Sequence, residues 1–189
     1  MKTIGERISY KHHPKNYTTF VISTKIDRWK ETLLLTWIIA WTFSGVVFLY
    51  FLLFGELGRD EKLILFILSI FWAYFEYRIV RVFLWRKYGV EYIKIDEDKF
   101  TIKKSILGYG KAKSYLTQQI DVNKVESLKQ NPKSFAKVMN DSFWVMGEGT
   151  VRFSDKNDYV YFGHQLEADD SERLAKAIKS TLKKYKKHR

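Results

Sequence analysis

The chain has 189 residues, 46% hydrophobic and 17% aromatic, with a net charge of +12 and no cysteine. Disulfides and thiolate metal sites are therefore excluded, and the length suits one compact domain plus an anchor. The slightly negative mean hydropathy averages two very apolar stretches with a Lys-rich polar remainder.

Residues 1–30 carry seven Lys or Arg and no apolar run of the kind that opens a secretory signal. The chain is therefore expected to stay in the membrane rather than be exported and cleaved. Within this N-terminal segment, Tyr17-Thr18-Thr19-Phe20-Val21-Ile22 is β-prone and is expected to add a strand to the sheet formed further on.

Residues 32–55 hold no charge. At about 1.5 Å per residue, such a stretch of about 24 residues spans a hydrocarbon core of about 30 Å. A short polar connection, Glu56–Lys62, leads to a second apolar run from Leu63 to Phe75. That run is too short to cross alone, so the helix must continue to about Trp85 and carry Glu76, Arg78 and Arg81 with it. Residues 31–87 thus read as a two-helix transmembrane hairpin, with Trp29 and Trp85 at matching levels of an interfacial aromatic belt. The connection holds two basic residues, against seven before the first span and four in Arg78, Arg81, Arg86 and Lys87. The excess of Lys and Arg on the inner side predicts both termini in the cytoplasm.

Beyond Tyr88 the period changes. Val90–Ile95 and Lys99–Lys103 alternate apolar and polar around an Asp96-Glu97-Asp98 turn, which predicts a β-hairpin. Further strands are expected at Lys113–Thr117, Val122–Leu128, Ser142–Met146, Thr150–Ser154 and Tyr159–His164, with a longer loop over 130–141. Leu174, Ile178 and Leu182 recur every fourth residue and predict an amphipathic helix from about Ala168 to Tyr185. Acidic residues in its first turn and lysines at its end complement the helix dipole. The expected fold is a membrane α-helical hairpin plus an α+β cytoplasmic domain over 88–189. That domain would be a barrel or sandwich of about seven strands capped by one C-terminal helix.

Several segments carry a resemblance. Phe83-Leu84-Trp85-Arg86-Lys87-Tyr88-Gly89, Val151-Arg152-Phe153, Tyr161-Phe162-Gly163 and Leu166–Leu174 resemble bacterial membrane proteins with pleckstrin-homology-like (PH-like) domains. The layout is similar to that of the photosystem I assembly protein family. The resemblance implies a PH-like fold and a location in the bacterial inner membrane. In eukaryotic relatives a basic strand–loop–strand grips phosphoinositides, and Lys103, Lys104, Lys111 and Lys113 sit at a comparable hairpin.

Two sets of residues stand out as candidate contacts. Glu76 is an intramembrane carboxylate near the level of Trp41. Such a group is expensive in lipid, so Glu76, Arg78, Arg81 and Trp41 are candidate contacts with a membrane partner. The second set is basic: Lys183, Lys184, Lys186 and Lys187 join the hairpin lysines as candidate anionic-lipid contacts, each worth about 1 kcal/mol near a charged surface. Gly108-Tyr109-Gly110 and Gly147-Glu148-Gly149 read as turns. The four histidines lack metal-ligand spacing, and no nucleophile elbow occurs. No catalytic, cofactor or metal residue is therefore predicted. The expected role is a non-enzymatic binding or scaffold module beside other integral-membrane subunits or further copies of itself, without nucleic acid. The alternative is a protein that senses or handles anionic membrane lipids.

Overall fold

The structure, a computed structural model, describes residues 2–24, 27–128, 142, 144–147, 149–155 and 158–187. The chain forms two compact units. One comprises Met1–Lys25 with Tyr88–Arg189, the other Ile26–Lys87. The N-terminal segment is therefore part of the β-domain, and the apolar hairpin is inserted into that domain's chain.

In the inserted unit, α1 (Arg28–Phe54) and α2 (Arg59–Tyr88) are both long and apolar enough to cross a membrane. In each, only 6% of the most apolar window is buried. A core helix of a water-soluble bundle hides a far larger share, so lipid is the solvent these side chains suit. Trp29 lies exposed, as a belt residue would, whereas Trp85 is buried.

The β-domain has nine described strands in two sheets. The larger is a six-stranded antiparallel meander, β1 (Lys2–Ile4), β2 (Ile8–His13), β3 (Tyr17–Ser23), β4 (Gly89–Ile95), β5 (Lys99–Ile106) and β6 (Ala112–Leu116). The smaller holds β7 (Glu126–Ser127), β8 (Gly149–Asp155) and β9 (Asp158–His164). A single helix, α3 (Ala168–Lys187), follows.

The N-terminal segment, expected to add one strand, contributes three. Its β3 pairs with β4, with Phe20 opposite Ile93 and Ser23 opposite Val90, so the hairpin's insertion point lies inside one continuous sheet. The strand expected over Val122–Leu128 is interrupted. The Asp121 carboxylate accepts from the Asn123 N–H and folds Val122–Lys124 into a 3-10 turn, leaving two residues for β7. None of the described residues in 142–146 lies in a strand, and the loop read over 130–141 lies outside the described residues.

Phe100, Phe153 and Phe162 join the two sheets, with Phe100 and Phe153 rings 4.9 Å apart edge to face. The α3 stripe Leu174, Ile178 and Leu182 completes this core, every member fully buried. Each such side chain contributes about 1.5–3 kcal/mol by leaving water. At the end of α3, the Tyr185 hydroxyl bonds Thr18 Oγ1 at 2.9 Å, tying the helix to the N-terminal strands.

Candidate functional site

The two halves of the β-domain's chain leave it at one place. Thr24 follows β3 and Gly89 opens β4, and both the Thr24 N–H and its hydroxyl donate to the Gly89 carbonyl, at 3.1 and 2.7 Å. Register then assigns the rest of the domain to this exit end or to the far end. Gly89 pairs with Ile106, so the β5–β6 turn lies at the exit end. Thr18 pairs with Ile95, so Thr18 and the C-terminus of α3 that it holds lie at the far end. Six residue steps of strand separate Gly89 from Ile95, about 20 Å.

The candidate lipid contacts are thereby split. Lys104 sits opposite Glu91 and Lys103 opposite Tyr92; Lys111 lies between the turn and β6, while Lys113 on β6 pairs with Ile102, level with Ile93 and so nearer the far end. Lys103 Nζ is used by the Gly108 carbonyl at 3.2 Å. Loss of solvent pulls Lys104 below the usual lysine value, Glu91 opposing the shift and Lys113 adding to it. Lys111 and Lys113 are exposed, with no hydrogen bond or ion pair to any described residue. Lys183, Lys184 and Lys186 lie on the last turns of α3, at the far end. Lys186 Nζ donates to the Ile120 carbonyl at 2.6 Å and Lys184 lies over the Tyr185 ring, so these two brace the helix end. The side chain of Lys187 lies outside the described structure.

Across the apolar hairpin, polar groups match in antiparallel register. Glu31 pairs with Lys87 at 2.6 Å. The Thr42 hydroxyl donates to Glu76 Oε1 at 2.7 Å. Trp72 Nε1 donates to the Trp41 carbonyl at 2.8 Å, and Trp41 Nε1 returns the bond to the Trp72 carbonyl at 3.4 Å. Gly45 lets the Trp72 ring lie against α1, because a Cβ there would overlap the indole. Glu76 therefore rests on Thr42, the neighbour of Trp41, while its Oε2 is buried with no partner among the described residues. Neither arginine reaches it: Arg78 donates to the Tyr74 hydroxyl at 3.2 Å, and Arg81 is exposed.

A polar cluster that the sequence reading did not single out lies within the exit end. Glu91 is 1% exposed, and its Oε2 accepts from the Gly163 N–H at 2.9 Å and the His164 N–H at 3.2 Å, with His164 Nδ1 at 3.1 Å. Arg7 spans the same corner. Its Nε donates to the Ser23 carbonyl at 2.9 Å, Nη1 to the Gln165 carbonyl at 2.5 Å and Nη2 to the His164 carbonyl at 3.1 Å. Burial pushes the Glu91 carboxyl up, yet the His164 hydrogen bond, the His164 and Lys104 charges and the His164 N–H together hold it below the ordinary carboxylate range. Burial pulls the Arg7 guanidinium down, against the charges of Asp170, Glu167 and Glu91.

One signal could have found this cluster. Glu91 shares the phase of Ile93 and Ile95 along β4, so the alternation itself places a carboxylate on the core face. Chemically the cluster is a latch: it joins β4 to the end of β9 and the approach to α3, and Arg7 adds the N-terminal strands. No group of His, Cys, Asp and Glu fit to hold a metal occurs among the described residues. No family model matches the chain, and neither a curated protein nor a solved structure shows significant similarity to it.

Proposed function

We propose that this chain is a membrane-anchored, non-enzymatic binding module, an accessory or assembly subunit that holds a PH-like domain at the cytoplasmic face of a bacterial inner membrane. The observation that carries this reading is the exit geometry. Two helices of spanning length are inserted between Thr24 and Gly89, residues hydrogen-bonded to each other, so both ends of the anchor's chain join the β-domain at one point of its sheet. A domain tethered to a membrane anchor offers its surface to membrane neighbours at high effective concentration, and weak contacts then suffice. The basic excess around the apolar helices favours the cytoplasmic side for both termini.

Purification of the tagged full chain in mild detergent tests this role. It should bring down a stoichiometric membrane-protein partner. Recovery as a lone monomer across several mild detergents would contradict it. The lipid-sensing reading draws its own support from exposed Lys111, which stands toward the exit end, just before the Ala112–Lys103 pair.

A further inference from the structure

The β5–β6 turn contains side chains for which the fold itself has no use. Ile106 and Tyr109 exchange backbone hydrogen bonds of 2.8 and 2.9 Å around Leu107 and Gly108. Both central residues are left-handed, Leu107 at φ 51° and Gly108 at φ 89°, as a two-residue hairpin of the I′ kind requires. Gly suits that geometry, and Asn or Asp is the usual companion; leucine carries a steric penalty there. Leu107 gains little burial in return, since it is 59% exposed and Tyr109 is 85% exposed. A residue both conformationally disfavoured and apolar in the open points to a use outside the fold.

Register supplies the occupant. Ile106 pairs with Gly89, the residue directly after α2, so the turn projects past the sheet at the end where the chain leaves for its apolar helices. We propose that the Leu107-Gly108-Tyr109 turn inserts into the headgroup–acyl boundary of the same bilayer that α1 and α2 span, with Lys104 and Lys111 on anionic headgroups around it. The inference rests on the membrane-anchored reading and deepens it. A leucine gains by entering the acyl region, and a tyrosine suits the interface with its ring in lipid and its hydroxyl in water. Lys103 braces the turn through the Gly108 carbonyl. The turn thus adds a third point of attachment to the two chain exits and fixes which surface of the domain faces the cell interior.

The absence of cysteine makes the test free of background. Single variants Leu107→Cys, Tyr109→Cys and Asp98→Cys, the last in the β4–β5 turn at the far end, are labelled with an environment-sensitive fluorophore. The full chain is placed in vesicles of phosphatidylcholine with phosphatidylglycerol. Labels at 107 and 109 should shift to the blue and be quenched by nitroxide lipids, while the label at 98 stays water-exposed. Joint substitution Lys104→Gln and Lys111→Gln, or vesicles of phosphatidylcholine alone, should lower the inserted population on the order of 30-fold, at about 1 kcal/mol per lysine. Lys183→Gln with Lys184→Gln should leave it unchanged. Leu107→Asn, which suits the turn, should lower insertion at a Tyr109→Cys label without unfolding the domain.

Labels at 107 and 109 as wet as that at 98, in a chain that resists alkaline extraction, would overturn the inference and leave the anchor standing. A blue shift without quenching by nitroxide lipid would overturn it in favour of a protein occupant. Release of the chain by alkaline carbonate would overturn the anchor, and this inference with it.

Discussion

Phenylalanine meets opposite fates in the two units. Phe43 and Phe54 on the apolar hairpin are 70% and 73% exposed, whereas Phe100, Phe153 and Phe162 in the β-domain are fully buried. In water the first arrangement would forfeit about 1.5–3 kcal/mol per ring, and in hydrocarbon it forfeits almost nothing. The comparison teaches that the β-domain is organised by what it hides, and the hairpin by the few polar groups it must pair. Those groups are the matched set Glu31–Lys87, Thr42–Glu76 and Trp41–Trp72.

The sharpest break of this comparison is removal of residues 1–24. These residues supply β1–β3 and the buried Ile8, Phe20 and Ile22. The remaining chain should still enter membranes through α1 and α2, yet its β-domain should fail to fold. Circular dichroism and limited proteolysis of the truncated chain in detergent would show this; a protease-resistant domain would contradict it. A fragment of residues 88–189 should fail for the same reason.

Next in size is a pair of truncations. Phe153→Ala should cost the β-domain about 3–5 kcal/mol, the range for large-to-small changes in a core. Ile39→Ala, at a position 62% exposed on α1, should leave the β-domain's melting unchanged. Denaturant unfolding of the full chain in detergent compares them, and equal effects would dissolve the distinction between the units.

A smaller effect belongs to the latch. The folded carboxyl of Glu91 lies below its ordinary value, so its charged form contributes stability above that value, about 4.5. This contribution is lost as pH falls through the lower folded value. Wild-type stability should therefore decline on acidification below about pH 4.5, while Glu91→Gln should flatten that limb and cost about 1–3 kcal/mol at neutral pH. Melting curves across an acid series measure both. An identical acid limb in the variant would remove Glu91 from the account.

The smallest effect has the opposite sign. Leu107→Asn should stabilise the detergent-solubilised β-domain by up to about 1 kcal/mol, because the left-handed position favours Asn. A loss of stability would mean that Leu107 packs within the fold after all.

Legibility in the sequence followed the same division. An uncharged run of spanning length states its solvent by composition alone, so α1 was readable without any partner, and α2 was readable by extending its shorter apolar run to about Trp85. The sheet was harder to read because β3 and β4, adjacent in space, are separated by the entire hairpin, and pairing between Phe20 and Ile93 leaves no local mark. The alternation of β1 and β2 is short and polar, which hid both strands. Lysines were legible by type but not by end: register alone parts Lys104 and Lys111 from Lys183 and Lys184. The turn was read at Gly108-Tyr109-Gly110, without Leu107, since only the backbone φ of Leu107 reveals that the position disfavours leucine.

The central claim is that the two apolar helices cross a bilayer and leave both portions of the β-domain on one side of it. Single cysteines introduced at Lys11, Glu56 and Asp158 in sealed vesicles, exposed to a membrane-impermeant maleimide, test this most directly. In vesicles of uniform orientation, Lys11→Cys and Asp158→Cys should behave alike, and Glu56→Cys in the opposite way. Labelling of all three from the same side would contradict the account.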